Sequence, residues 1–238
     1  MVTLTYQERF RTEKGVFDEF TKRNLFGLES RGVFDELLGP VFVGKESNVF
    51  LARKGDDKII VKIYRVQNCD FKKMYEYIRQ DSRFENLKRR RREIIFGWTQ
   101  REYKNLLKSD GGGVSVPKAY ACKFNILVEE MIGDGSPAPQ LKDQIPQNPE
   151  KFFELLLKEI EKLYKTGLVH GDLSAFNVLN HNEKPYLIDF SQSTLIKSSN
   201  ANLLLERDLY NICKFFKKLG IKLDQEKIMQ KILSQQKV

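Results

Sequence analysis

The feature that most constrains this chain is a polar loop set between short apolar segments. The loop spans 170–177 (HGDLSAFN) and lies between the runs 167–169 and 178–180, and a further apolar run, 185–188, delivers Asp189. Short apolar runs bounded by turn residues predict strands with tight connections. The sequence therefore predicts a loop held between short strands. The polar side chains that this arrangement brings together are Asp172, Asn177 and Asp189.

Two carboxylates and one amide at this spacing suit phosphoryl transfer. Asp172 could accept a proton from, or orient, an attacking hydroxyl or water. Asn177 and Asp189 offer oxygen atoms that can hold Mg²⁺, or Mn²⁺ in its place, between nucleotide phosphates. Taken alone, Asp172 or Asn177 is better interpreted as an ordinary turn or capping residue. The complete set favours the catalytic interpretation.

An upstream segment has features of a phosphate-binding turn. Residues 39–52 predict strand, turn and strand, with Gly44, Lys45, Ser47 and Val49 in or next to the turn. A glycine permits close approach of the backbone, and Ser47 with free amides could contact phosphate oxygens. The segment is neither a Walker loop nor a full G-x-G-x-x-G motif, so an ordinary β-hairpin remains open here.

A lysine inside a β-branched run follows this turn. Lys62 lies in 59–64 (IIVKIY), where apolar residues occupy both faces, so we expect its ammonium group to point into a cleft and to need an anion. Nucleotide phosphates would supply one anion. Glu102, on the helical pattern 98–106, would supply another, as in the strand-lysine and helix-glutamate pair of protein kinases.

Together these segments resemble the RIO kinases, the atypical protein kinases and ATPases of ribosome assembly, and specifically their type-one branch. The resemblance runs from about 17 to 220, and no winged-helix module precedes it, which argues against the type-two branch. The segments that carry it are 31–36, 44–49, 61–65, 98–106, 137–139, 170–177, 188–193 and 206–212.

The resemblance implies an α+β, two-lobed, protein-kinase-like fold with a small strand-rich N-lobe and a truncated helical C-lobe. We expect an N-terminal helical extension over 1–38, and an N-lobe over 39–130 that carries a basic flexible insertion at about 66–96. The hinge and the C-lobe should occupy 131–238.

Local patterns predict two of the helices. Apolar residues recur at helical spacing over 17–28, with Gly32 as a stop signal. In the C-lobe, Asn148 and Pro149 form an N-cap and first-turn pair ahead of an apolar stripe over 152–164.

The resemblance also implies roles for individual residues. Asp172 is the proton acceptor, Asp189 can become a phospho-aspartate as well as hold metal, and the backbone of Glu130 and Ile132 binds the adenine edge. Glu129 departs from the family, because this position at the back of the adenine pocket is usually Met. Its carboxyl group could accept from the adenine amino group or turn to solvent. The nucleotide-binding set is Gly44, Lys45, Ser47, Val49, Lys62, Glu102, Glu130 and Ile132, with Lys62 also counted as catalytic.

Departures from ordinary protein kinases bear on the activity. Gly171 stands where most kinases have an arginine, Ser191 replaces the usual glycine, and 49 residues without an Ala-Pro-Glu triplet follow Asp189. This leaves too little chain for a full activation segment and peptide-binding subdomain, which favours ATP hydrolysis over peptide phosphorylation as the main activity. The resemblance itself implies an atypical serine/threonine protein kinase and ATPase with autophosphorylation. Two alternatives stay open. One is a small-molecule phosphotransferase of the aminoglycoside or choline kinase type, and the other is a non-catalytic RNA-binding scaffold.

Composition limits the other classes of function. Three scattered cysteines and two histidines give no disulfide framework and no zinc spacing. No apolar run approaches the ~18 residues of a membrane span, and nothing resembles a signal peptide. We expect a cytoplasmic protein with no membrane partner.

The net charge of +9 is concentrated in two segments, 79–104 and 214–237. The run 88–92 (KRRRR) lacks an apolar pattern, so it is predicted to lie in a mobile loop. It could be only a solvated loop, or it could contact the backbone of RNA, since clustered cations gain from counterion release. The resemblance favours RNA of a small ribosomal subunit precursor as the partner, and we expect no DNA partner.

Overall fold

The computed structural model describes residues 17–66 and 69–236. Residues 1–16 of the predicted helical extension, and Lys237 of the basic C-terminal segment, lie outside the described residues. Helix α1 (Glu19–Glu29) begins at Asp18, whose carboxylate accepts from the Thr21 amide at 2.8 Å. The helix ends before Gly32, which takes a left-handed φ of +66°. The predicted helix and its stop are thus present.

A five-stranded antiparallel sheet forms the smaller lobe. Its strands are β1 (Glu36–Val43), β2 (Ser47–Lys54), β3 (Asp57–Tyr64), β4 (Ala119–Lys123) and β5 (Ile126–Glu130). Their order across the sheet is β1-β2-β3-β5-β4, which places β3 in the centre. One face of the sheet packs on α1, because Leu25 and Leu28 join a core with Phe50, Val61 and Val128. The opposite face of β3, which carries Lys62, therefore lines the cleft between the two lobes.

The segment between β3 and the next long helix differs from the predicted loop. It contains helix α2 (Phe71–Ile78), whose Asp70 cap accepts from the Lys73 amide at 3.1 Å. Met74 and Ile78, spaced four residues apart, are buried against Ile94 and Trp98. Helix α3 (Arg91–Gly111) then begins within the basic run itself. The high charge of this segment hides an apolar pair in the sequence, and that pair packs the segment on α3.

The C-lobe is built around helix α4 (Pro149–Lys165), and the predicted N-cap is present. The Asn148 side chain accepts from the Lys151 amide at 3.0 Å. The predicted stripe is buried and packs on helix α5 (Ala201–Lys218), with Phe153 and Phe216 ring centroids 5.0 Å apart. Helix α6 (Gln225–Leu233) adds Ile232 to this core.

Four short strands frame the polar loop on the cleft side of the C-lobe. Strands β6 (Leu168–Val169) and β9 (Thr194–Leu195) pair with each other, as do β7 (Val178–His181) and β8 (Lys184–Leu187). The predicted placement of the loop between short strands is thus confirmed. None of the helices within the described ranges is long and apolar enough to cross a membrane.

Candidate active site

The polar loop is closed by hydrogen bonds within itself. Asn177 donates from its side-chain amide to the Asp172 carbonyl at 2.8 Å, and its backbone amide donates to the Ser174 carbonyl at 2.9 Å. The first bond fixes the amide nitrogen of Asn177 toward the loop, so the amide oxygen is directed away from it. Ile188 donates to the Asn177 carbonyl at 3.1 Å, which ties the loop to the segment that carries Asp189.

Asp189 follows β8 in a left-handed conformation with φ +63°. A non-glycine residue in this region is strained, and such residues concentrate at functional sites. Its Oδ1 atom accepts from Lys62 at 3.0 Å and from Ser191 Oγ at 2.8 Å. Burial opposes ionisation of Asp189, but the Lys62 charge and these two hydrogen bonds outweigh burial and hold its pKa at about 2. Asp189 is thus an anion at neutral pH.

Lys62 connects the two lobes. It lies on β3 with only 6% exposure, and its Nζ lies 2.7 Å from Glu102 Oε1 on α3. The other Glu102 oxygen accepts from the Tyr64 hydroxyl. Burial works against the ammonium form, but Asp189 and Glu102 overcome it and raise the Lys62 pKa well above its ordinary value. Lys62 thus points into the cleft and has anionic partners there, as the sequence predicted.

Asp172 lies apart from this ion pair. Burial, helped by the Asp189 charge, raises the pKa of its carboxyl group. Gln192 donates to Asp172 Oδ2 at 2.9 Å and orients it. A carboxylate with a raised pKa is a stronger proton acceptor, which suits the predicted role of Asp172.

The predicted phosphate-binding turn faces the same cleft. Val49 pairs with Lys62 and Ser47 with Tyr64 across β2 and β3, and directly paired residues share a face of the sheet. The Gly44 amide donates to the Ser47 carbonyl at 2.9 Å, and a Cβ atom at Gly44 would lie 2.9 Å from that carbonyl oxygen. Glycine is therefore required by the tightness of this turn. Lys45 is exposed at the tip of the turn.

The hinge leaves particular backbone groups for a ligand. Glu130 donates its amide to the Lys118 carbonyl at 2.8 Å, and its carboxylate accepts from the Lys118 amide at 3.1 Å. The Ile132 carbonyl accepts from the Ala138 amide at 2.8 Å. A purine edge would therefore meet the Glu130 carbonyl and the Ile132 amide, an acceptor and a donor.

Two residues of α5 that fix the polar loop by hydrogen bonds were not predicted from the sequence. Asp208 on α5 is buried, and it accepts from the Gly171 and Leu173 amides at 2.7 and 2.8 Å. Burial raises the Asp208 pKa to about 7, although these two donors oppose the shift. Arg207 donates to the Gly171 carbonyl. The available signal was Asp208, a single acid inside the apolar stripe of α5, with Arg207 next to it on the exposed side of the helix.

The residues proposed for Mg²⁺ fit that ion by chemistry. Asp189 and Asn177 offer a carboxylate and an amide oxygen, which are hard donors of the kind that Mg²⁺ prefers. Across the ranges 17–66 and 69–236, no group of three or more His, Cys, Asp or Glu side chains is arranged to hold a metal ion. Two protein ligands supplemented by phosphate oxygens and water match the usual binding of Mg²⁺ with nucleotides.

Comparison with known proteins gives consistent matches. The model of the RIO domain family matches residues 48–228. The RIO-type serine/threonine-protein kinase Rio1 of Methanocaldococcus jannaschii is 43% identical over 215 residues, covering 90% of this chain and 74% of the relative. Rio1 of Thermoplasma acidophilum is 36% identical over 185 residues, covering 77% of this chain and 98% of the relative.

Solved structures support the fold. The Rio2 kinase–ADP/Mg²⁺–phosphoaspartate complex from Chaetomium thermophilum aligns with a TM-score of 0.65 at 19% identity. The alignment covers 88% of this chain and 65% of that one. At this identity the likeness shows the fold alone, which is the predicted α+β, two-lobed, kinase-like architecture.

Proposed function

The chain belongs to the RIO domain family, and on that premise we propose that it is an ATP- and Mg²⁺-dependent serine/threonine protein kinase that also hydrolyses ATP. The observation that carries this proposal is the Lys62 ammonium group, held at once by Glu102 and Asp189. A buried cation fixed between the lobes, beside a loop of hard oxygen donors, is suited to phosphates. A scaffold that bound only RNA would not need it.

Each residue of the site then has a role in transfer. Lys62, oriented by Glu102, binds phosphate oxygens of ATP. Asn177 and Asp189 hold Mg²⁺, which neutralises phosphate charge when bound. Asp172, oriented by Gln192, accepts the proton of an attacking hydroxyl or water. Hydrogen bonds already fix these groups, so little reorganisation is needed at the moment of reaction.

We further propose that Asp189 itself can accept the γ-phosphoryl group. One carboxylate oxygen would form the bond to phosphorus while ADP departs, and water would later cleave the acyl phosphate. The Rio2 structure named above is a phosphoaspartate complex, which supports this step by analogy. Lys62 and Ser191 both bind Oδ1 of Asp189, so Oδ2 is the oxygen better placed to react.

Incubation with γ-labelled ATP and Mg²⁺ tests these proposals. We expect the denatured protein to carry label that hydroxylamine removes, because acyl phosphates react with it and phosphoserine does not. Asp189→Ala should abolish this labile label, and Lys62→Met should lower turnover by about 100-fold through loss of a preorganised cation.

The alternatives predict different results. Label that resists hydroxylamine, or that persists in Asp189→Ala, would point to a Ser or Thr acceptor and remove the phospho-aspartate step. Rapid turnover only with a small hydroxyl or amine acceptor would indicate a small-molecule phosphotransferase. ATP binding without any turnover would indicate a scaffold.

The proposed partner is RNA of a small ribosomal subunit precursor, in the cytoplasm. The resemblance suggests this partner, and the exposed basic run 88–92 supports it on physical grounds. Three of its arginines lie over aromatic rings: Arg89 over Tyr75, Arg91 over Phe71 and Arg92 over Phe20, at 4.9 to 5.9 Å. Such contacts present guanidinium groups as a surface suited to a phosphate backbone.

A further inference from the structure

Glu129 is a cleft residue to which the reaction above gives no role. It lies on β5 and pairs with Ile60 of β3, while the next pair on the same face is Leu127 with Lys62. Side chains alternate across a strand, so Glu129 faces the same side as Lys62. Ile126 and Val128 alternate with it and face the N-lobe core. The carboxyl group of Glu129 is therefore directed into the cleft and not to the outer surface.

The surroundings of Glu129 are unfavourable for an anion. Burial raises its pKa to about 8, and the Glu102 carboxylate on α3 adds to the shift. Lys62 on β3 favours the ionised form, and Asp189 after β8 opposes it. Lys62 is already shared by Glu102 and Asp189. Glu129 is half-buried at the cleft, so a hydrogen-bond donor on a bound ligand would offset part of the cost of burying its carboxyl group.

The hinge indicates which donor that would be. Glu129 directly precedes Glu130, whose backbone carbonyl is the acceptor proposed for the purine edge. The 6-amino group of adenine carries two hydrogens, and one backbone carbonyl can accept only one of them along a good line. The second hydrogen is left for an acceptor one residue deeper in the cleft, which is the position of Glu129.

We propose that the Glu129 carboxyl group accepts a hydrogen bond from the 6-amino group of the bound nucleotide and makes that group a determinant of nucleotide selection. This inference rests on the proposed function, because it assigns the base of the nucleotide that the site takes. Glu129 is thus a specificity residue and takes no part in phosphoryl transfer.

Binding of two nucleotides by calorimetry tests the inference, measured at pH 7 and at pH 9, on either side of the raised pKa of Glu129. The probes are ATP and purine riboside triphosphate, which lacks the 6-amino group but keeps the ring nitrogens. Loss of a charge-assisted hydrogen bond should lower affinity about 10- to 100-fold. In Glu129→Met the preference for ATP over purine riboside triphosphate should fall by about ten-fold, since the partner of the amino group is gone.

Two further variants serve as a conservative substitution and as a control. Glu129→Gln is isosteric and keeps an acceptor oxygen, so it should retain a preference between those of the wild type and Glu129→Met. Glu159→Gln removes a buried acid on α4 that bonds Ser115 and Lys162, and it should leave the preference unchanged. It is the matched control for loss of a buried carboxylate.

The outcomes separate this inference from the proposed function. An unchanged preference in both Glu129 variants would overturn the inference while leaving ATP binding intact. A wild-type protein that binds neither nucleotide would overturn the proposed function instead. Thermal melting of each variant shows whether it is folded. If Glu129→Met does not fold, the nucleotide preference of Glu129→Gln is compared with that of Glu159→Gln, and an equal preference in these two variants overturns the inference.

Discussion

At the scale of single residues, the site depends on how one cation is shared among several acids. Lys62 contacts Glu102 at 2.7 Å and Asp189 at 3.0 Å, and Tyr64 completes the hydrogen bonding of Glu102. The strained backbone of Asp189 costs about 1 to 3 kcal/mol. Its ion pair with Lys62 and its bond from Ser191 offset that cost. Removing Lys62 would therefore leave two acids without their cation as well as remove a phosphate ligand.

Glu129 should make the unliganded protein less stable as the pH rises. Its folded-state pKa of about 8 lies above its ordinary value of 4.5, so between these values the folded protein holds a proton that the unfolded chain has released. Stability is then full below about pH 4.5 and declines toward pH 8, by at most about 5 kcal/mol. Glu129→Gln should remove this decline.

Urea unfolding of the wild type and Glu129→Gln at several pH values between 5 and 8 measures the difference. The variant should be nearly as stable as the wild type at pH 5 and more stable at pH 8. Free energies of unfolding that change in parallel with pH in both proteins would show that Glu129 is not the titrating group.

At the scale of elements, the polar loop depends on a helix that follows it in sequence. Asp208 of α5 accepts from two amides of the loop, and Asn211 donates to the Leu173 carbonyl at 3.2 Å. Gly171 approaches the Gln192 carbonyl so closely that a Cβ atom would lie 2.8 Å from it, and its φ is +78°. The loop is thus positioned by its hydrogen bonds to α5 and by its close contact with the segment that follows Asp189.

Asp208→Asn should impair catalysis more than ATP binding. An asparagine keeps one acceptor oxygen but turns a donor toward the second loop amide, so we expect a loss of about 2 to 3 kcal/mol in stability. Displacement of Asp172 should lower kcat at least about ten-fold, while the Kd for ATP stays within about two-fold. Turnover assays and calorimetry measure the two effects.

Glu206→Gln is the matched control, because this acid is exposed on the same helix, and residues two positions apart lie on opposite sides of a helix, so Glu206 does not share the face of Asp208. It should leave both constants unchanged. Normal kcat in Asp208→Asn would mean that the loop is positioned without α5.

At the scale of the whole molecule, α3 joins the two lobes. The Asn105 side chain donates to the Phe190 and Ser193 carbonyls of the C-lobe at 3.1 and 3.0 Å. The same helix carries Glu102 to Lys62 and begins in the basic run 88–92. A partner bound at the basic run would therefore touch the element that sets the position of Lys62.

The distribution of charge over the molecule predicts how RNA binding responds to salt. If the run 88–92 contacts RNA backbone, replacing its five residues with Ser should reduce the slope of log K against log salt by up to about 3.5 for a single strand. Binding titrations at several salt concentrations measure the slope. Replacement of Lys214, Lys217 and Lys218 with Ser also lowers the net charge and serves as the control. An unchanged slope in the first variant would leave the run as a solvated surface.

The sequence by itself determined the local parts of this protein. The strands around the polar loop, the Asn148 cap, the stop at Gly32 and the inward direction of Lys62 all follow from short-range patterns, and the structure contains them. These features depend on neighbouring residues, so a window of a few residues is enough to predict them. The folding of α2 onto α3 was missed because its apolar pair has meaning only once Trp98 is known to face it.

Only the tertiary structure decided which distant groups meet. The pairing of Asp208 with the loop amides joins residues more than 30 positions apart, and that of Lys62 with Asp189 joins residues 127 positions apart. The sequence also left two directions open for Glu129, toward the cleft or toward solvent. Strand register settled this, because the pairing of Glu129 with Ile60 fixes the face on which it lies. Burial and proximity to other charges are properties of the folded chain, and they set the ionisation of every acid in the site.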